Sequence, residues 1–121
     1  WGGYDALKRR LLRDGLRVFE FKQRARLKEY MDDVYNCRVI VCGDTLAMHL
    51  GLAFKKKVIS IFCATPPQDH YDYGLMQKLY DKEAPCFTSF KTACEHSPQC
   101  IDRVSVTAVY ENVKKALRGR I

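Results

Sequence analysis

The sequence predicts an α/β fold: a parallel sheet with helices packed on both faces. Three observations carry this. "RVIVCG" (38–43) and "VISIFC" (58–63) are continuous apolar runs rather than alternating ones, as strands covered on both faces require. The segments around them repeat apolar residues at helical spacing. The resulting order is helix, strand, helix, strand, helix, strand, loop, helix, the alternation that builds parallel sheets through crossover connections.

Each element has its own signal. Residues 5–14 read as a short helix, with Asp5 as a candidate cap, Leu7 and Leu11 on one face and Gly15 at its end. "LRVFEF" (16–21) is rich in β-formers and is expected to be a strand. "RARLKEYMDDVYN" places Leu27, Tyr30, Met31, Val34 and Tyr35 on one helical stripe. "TLAMHLGLAF" (45–54) is too apolar for a surface helix and is expected to be largely buried. "ATPPQDHYDYG" is turn-rich, and a short helix is expected near 75–81. An irregular segment with three cysteines spans 84–102. A final helix at about 105–118 has Ser105 as N-cap and Val106, Val109, Tyr110, Val113 and Leu117 as its apolar stripe.

The chain has 121 residues, enough for a single domain, and a net charge of +7. That charge favours an anionic partner such as a nucleotide phosphate or an acidic lipid surface. The basic residues gather in "LKRRLLRDGLR", "FKQRARLK", "FKKK" and "RGR". No nucleic-acid-binding motif accompanies them, so solvated basic faces are the expectation, with nucleic-acid binding ranked last. No run approaches the roughly 20 apolar residues that span a bilayer. "WGGYDALKRR" lacks the apolar core of a signal peptide. Trp1 in first position suits a chain that begins inside a longer polypeptide or follows processing.

Six cysteines is a high number for this length. Cys37, Cys42 and Cys63 sit in or beside apolar runs and read as small buried thiols. Cys86, Cys94 and Cys100, with seven and five residues between them, match neither a C-x-x-C zinc pattern nor a secreted disulfide framework. A metal site using them with His96 is the weaker reading. A loop of reduced thiols or one disulfide is preferred, so no metal is expected.

The chemistry concentrates in "GDTLAMH". Ligands of parallel sheets bind beyond the carboxyl ends of the strands. "GDT" falls there, between the strand at 38–43 and the helix that follows. Asp44 or Thr45 can cap that helix, and the backbone N–H groups of Thr45, Leu46 and Ala47 form a ready phosphate site. His49 lies one turn on, and Thr65 in "CATPP" lies at the end of the next strand. By themselves these residues read more readily as an ordinary cap and a core histidine than as a ligand site.

"VIVCGDTLAMHLGLAFKKKVISIFCATPP" resembles glycosyltransferase family 9, which includes the ADP-heptose:lipopolysaccharide heptosyltransferases. That family carries Asn-Asp-Thr-Gly-Pro-Met-His between two strands and Phe-Gly-Pro-Thr-x-Pro after the second. Asp44, Thr45, Met48 and His49 match the first cluster; Phe62, Thr65 and Pro67 match the second. "WGGYDALKRRLLRDGLRVFEF" is similar to the family's Gly-Gly turn, helix and strand, and "PCFTSFKTACEHSPQCIDRVSVTAV" to its cysteine-rich stretch. Leu46 stands where the family has glycine, Gly43 where it has asparagine, Cys63-Ala64 where it has Gly-Pro, and Lys57 where it has the turn proline.

The resemblance implies a Rossmann-like domain, the C-terminal half of a glycosyltransferase B-type fold. Residues 1–121 would be a single, partial nucleotide-sugar-binding domain. Gly2, Gly3, Asp44, Thr45, Leu46, Ala47, His49 and Thr65 would bind the donor, with Asp5 the nearest match to an acidic residue after the glycine turn. The catalytic base and the glycolipid or glycan acceptor site would belong to an N-terminal domain, so no catalytic residue is assigned in this chain. The donor, ADP-heptose-like, would be a substrate and no cofactor would be needed. The setting implied is bacterial lipopolysaccharide core or related glycan synthesis, in the cytoplasm or peripheral to the inner membrane. A partial domain would also expose a sheet edge open to self-association. The alternative is a nucleotide-binding module that has lost transferase activity.

Overall fold

The computed structural model describes residues 1–119. Arg120, the last of the basic residues in "RGR", lies outside them. Three parallel strands form one open sheet in the order β1 (Val39–Cys42), β2 (Lys57–Ile61), β3 (Met76–Leu79). Register pairs Cys42 with Ser60 and Ile61 with Leu79, so the carboxyl ends of all three strands lie side by side. Among the described residues four α-helices complete the fold: α1 (Tyr4–Arg13), α2 (Leu27–Tyr35), α3 (Leu46–Ala53) and α4 (Val106–Leu117). The expected α/β class holds. No helix among the described residues is long and apolar enough to cross a membrane.

The two sheet faces explain the continuous apolar runs. Ile40, Cys42, Val58 and Phe62 face α2 and α3, where they pack with Val34, Ala47, Met48 and Leu52. Ile59 and Ile61 face α1 and α4, where they pack with Leu7, Leu11, Val109 and Val113. Phe62, Ile40, Met48 and Val58 are each fully buried, and each such side chain contributes ~1.5–3 kcal/mol. Ser60, the one buried polar residue of β2, donates its hydroxyl to the Gly43 carbonyl at 3.3 Å. At Gly51 a Cβ would lie 2.8 Å from Ile40 Cδ1 and 3.0 Å from Val58 Cγ2. Glycine is what lets α3 lie this close to the sheet.

The structure corrects two expected elements. Residues 16–21 have no regular structure and pair with no strand among the described residues. Leu16 and Val18 pack into the α1/α4 core and Phe21 against the α2/α3 core, so the β-formers are used for packing rather than for a ladder. A bidentate Arg24–Asp33 pair, at 2.7 and 2.8 Å, ties the end of this segment to α2. The segment near 75–81 forms β3, not a helix. Met76 is buried against β2 and the chain continues the parallel ladder, so pairing overrides the weak helical pattern. The α2 stripe is also narrower than its spacing implies: Val34 is buried, while Leu27 and Tyr35 are largely exposed.

The candidate donor site at the carboxyl ends of the strands

Asp44 follows β1 directly, and three side chains converge there. Its Oδ2 is 3.2 Å from His70 Nε2 and its Oδ1 is 3.8 Å from His49 Nε2. His49 comes from the first turn of α3. His70 comes from the β2–β3 crossover, just after the 3₁₀ turn Pro67–Asp69. The two imidazoles meet edge to face, with centroids 5.8 Å apart. His70 also stacks on buried Phe62 at 5.4 Å and 30°, and its carbonyl accepts a hydrogen bond from Lys78 Nζ. Its side chain is 18% exposed against 59% for His49, so packing fixes His70 and leaves His49 free to reach outward.

Thr45 is the N-cap of α3, yet its side chain makes no capping bond. Its hydroxyl instead hydrogen-bonds the thiol of Cys42, the last residue of β1. Burial pushes that thiol up to about 12, only partly opposed by the Thr45 bond and reinforced by nearby Asp44, so Cys42 stays protonated at neutral pH. The first-turn N–H groups of Leu46 and Ala47 are therefore left without a cap from the Thr45 side chain. Leu46 itself is 50% exposed and contributes nothing to the core.

Beside this cluster runs an open groove of about 800 Å³, lined in part by His49, His70, Tyr71 and Tyr73. Tyr71 and Tyr73 are exposed and contact each other edge to face at 4.7 Å. The aromatic crossover therefore borders the histidines. A second cavity of about 560 Å³ lies beyond β3, where Arg103 pairs with Asp81 at 3.1 Å.

Of the residues singled out in the sequence, the structure brings Asp44 and His49 together, with Thr45, Leu46 and Ala47 adjoining. Thr65 lies at the same end of the sheet, between β2 and the 3₁₀ turn, outside the histidine cluster. Gly2 and Gly3 lead into α1. The Gly2 N–H donates to Asp102 Oδ1 at 2.7 Å, and a Cβ at Gly3 would collide with the Trp1 ring at 2.3 Å. Asp5 is exposed in the first turn of α1 and caps nothing. His70 is the residue that spacing does not single out: it lies 26 positions beyond Asp44, and only the crossover's path brings it back.

Asp44, His49 and His70 place their ligand atoms within 4.8 Å of one another, a set able to hold a cation. The same set can present two imidazoles to an anion, with the carboxylate orienting them and keeping lone pairs free for a hydroxyl. Comparison with curated proteins and with solved structures returns no significant match. The family profile for glycosyltransferase family 9 (heptosyltransferase) matches residues 4–99, well over half of the chain and all of the cluster just described. A parallel α/β sheet with Asp44, Thr45, Met48 and His49 at its carboxyl edge thus belongs to glycosyltransferase family 9.

Proposed function

We propose that this chain binds the nucleotide-sugar donor of an inverting glycosyltransferase. The donor is ADP-heptose-like, and the setting is lipopolysaccharide core or related glycan synthesis. The observation that carries the reading is the Asp44 carboxylate set between His49 and His70, beside the uncapped first turn of α3. The amides of Thr45, Leu46 and Ala47 hold the diphosphate at the positive end of the helix. His49 and His70 donate to phosphate oxygens, and Asp44 accepts from a sugar hydroxyl. As the glycosidic bond breaks, negative charge grows on the departing diphosphate, and these donors stabilise it without reorganising. Thr65, Gly2 and Gly3 border the nucleoside. The base that deprotonates the acceptor hydroxyl, and the glycan or glycolipid acceptor itself, belong to a separate domain.

One observation favours a second reading, a nucleotide-binding module without turnover. Leu46 sets a half-exposed isobutyl group at the mouth where the phosphate would approach. Calorimetric titration with ADP, ADP-sugars and other nucleoside diphosphates tests both. Saturable binding lost in His49→Ala and Asp44→Asn supports the donor site. Binding of free ADP with no preference for its sugars supports the second reading. No nucleotide binding, with steeply salt-dependent binding to nucleic acid, sinks both.

A further inference from the structure

The irregular segment after β3 contains a second cluster, remote in character from the histidines. Cys86 and Cys100 are buried there with Ala84, and Cys63, Phe87 and Cys94 pack around them. The Cys86 thiol donates to Cys94 Sγ across 3.6 Å. This is far longer than the roughly 2.05 Å of a disulfide. The ligand atoms of Cys86, His96 and Cys100 lie within 4.8 Å of one another. The Cys100 N–H also donates to Cys94 Sγ at 3.4 Å. Two sulfurs and an imidazole thus lie within reach of one ion, and the Cys94 sulfur adjoins them through Cys86 and the Cys100 N–H. Tetrahedral zinc, with Zn–S near 2.3 Å and Zn–N near 2.0–2.1 Å, needs donors about 3.6–3.8 Å apart. The Cys86–Cys94 separation meets that spacing, and the atoms of Cys86, His96 and Cys100 lie within about an ångström of it.

The local fold gives such an ion work to do. Residues 84–99 form no helix or strand, and the small thiol-lined cluster is a weak core of its own. Yet this segment is wired to both flanks of the candidate donor site. Thr88 and Phe90 N–H groups bond the Cys63 and Ala64 carbonyls, next to Thr65. On the other side, Cys100 begins the 3₁₀ turn Cys100–Arg103, whose Asp102 holds the Gly2 N–H.

We propose that Cys86, Cys94, His96 and Cys100 form a structural zinc site that braces the Thr65 loop and the Gly2–Gly3 turn. Three thiolates and one imidazole suit zinc over magnesium or calcium, which take oxygen ligands. The spacing C-x7-C-x-H-x3-C lacks the paired motif of common zinc modules, because here the 3₁₀ turn, not a knuckle, returns the last cysteine.

Metal analysis of the untagged chain, purified with reductant and without chelator, is expected to find roughly one zinc per chain. Cobalt substitution should give the visible d–d and thiolate charge-transfer absorption of a tetrahedral site. His96 is exposed, so His96→Ala should fold normally while losing at least ~tenfold in zinc affinity by chelator competition; His96→Cys should restore it. Cys63→Ser should keep its zinc. The proposal is overturned by less than a tenth of an equivalent of zinc after metal reloading, by a Cys86–Cys94 disulfide in the non-reduced protein, or by a His96→Ala variant of unchanged affinity and cobalt spectrum. None of these outcomes depends on whether a nucleotide binds.

Discussion

Replacing His70 is the sharpest test of the candidate donor site, because spacing does not tie this residue to Asp44 and only the folded chain brings the two together. The imidazole makes two kinds of contact: Nε2 toward Asp44 at 3.2 Å and a ring stack on Phe62 at 5.4 Å. His70→Ala removes both. His70→Phe keeps the stack and removes only the hydrogen-bonding nitrogen, so it separates binding from packing. A hydrogen bond to a charged phosphate contributes about 1.5–3 kcal/mol, and each 1.4 kcal/mol is tenfold in affinity. Both variants are therefore expected to weaken ADP-sugar binding about 10- to 150-fold. His70→Phe should melt close to the parent, since Asp44 is partly exposed and water can replace the lost partner. The assay is titration calorimetry beside thermal denaturation. A His70→Phe chain that binds within about twofold of the parent, while His49→Ala loses binding, would place His70 outside the site and refute the reasoning.

Two further predictions concern the scaffold. Asp14, at the C-terminal end of α1, accepts hydrogen bonds from Tyr110 and from Lys114 Nζ at 3.1 Å on α4; these hold its carboxyl below the ordinary range. A depressed folded pKa contributes stability that is present above the unfolded value and lost as pH falls through the folded one. Asp14→Asn should therefore be less stable in urea at neutral pH, with the gap closing in acid; a gap independent of pH contradicts the pairing. Gly51→Val would set its Cβ 2.8 Å from Ile40 Cδ1 and 3.0 Å from Val58 Cγ2, the latter on a β-branched side chain that is stiff at χ1. The overpacking should cost about 1–3 kcal/mol, lowering Tm by several degrees; an unchanged Tm would show that α3 can lift from the sheet without penalty.

The fold was legible wherever burial on two faces wrote itself into composition. β1 and β2 could be found because their neighbours cover both sides and leave no buried polar residue except Ser60. α4 could be read because a single stripe with a capping serine serves one face; Ser105 Oγ does accept from the Ala108 N–H at 3.0 Å. β3 was not legible. At the edge of the sheet it buries Met76 while Gln77 and Lys78 stay more exposed, a pattern with neither strand alternation nor helical period. The segment 16–21 misleads for the converse reason. Its β-forming residues pack against two different cores from a segment without regular structure, and propensity alone carries no information about whether a partner strand is present.

The candidate site divides along the same line, between what is local in sequence and what the path of the chain assembles. Asp44, Thr45 and His49 sit within one strand–helix turn, so their spacing points to the carboxyl edge of the sheet. Even there, the cap reading changes: Thr45 holds the N-cap position, yet its side chain makes no capping bond to the helix amides. His70 and the cysteine–histidine cluster are non-local. Each depends on a stretch with no regular structure returning to a fixed point. For His70 that point is Phe62, the buried residue just past β2 on which the imidazole stacks. For the cysteines it is the 3₁₀ turn that brings Cys100 back beside Cys86 and Cys94. Spacing does not link such groups, because it assumes that the elements bearing them are short and regular. In this chain the irregular segments bring two side-chain clusters together, while the regular elements supply the surface on which they are set.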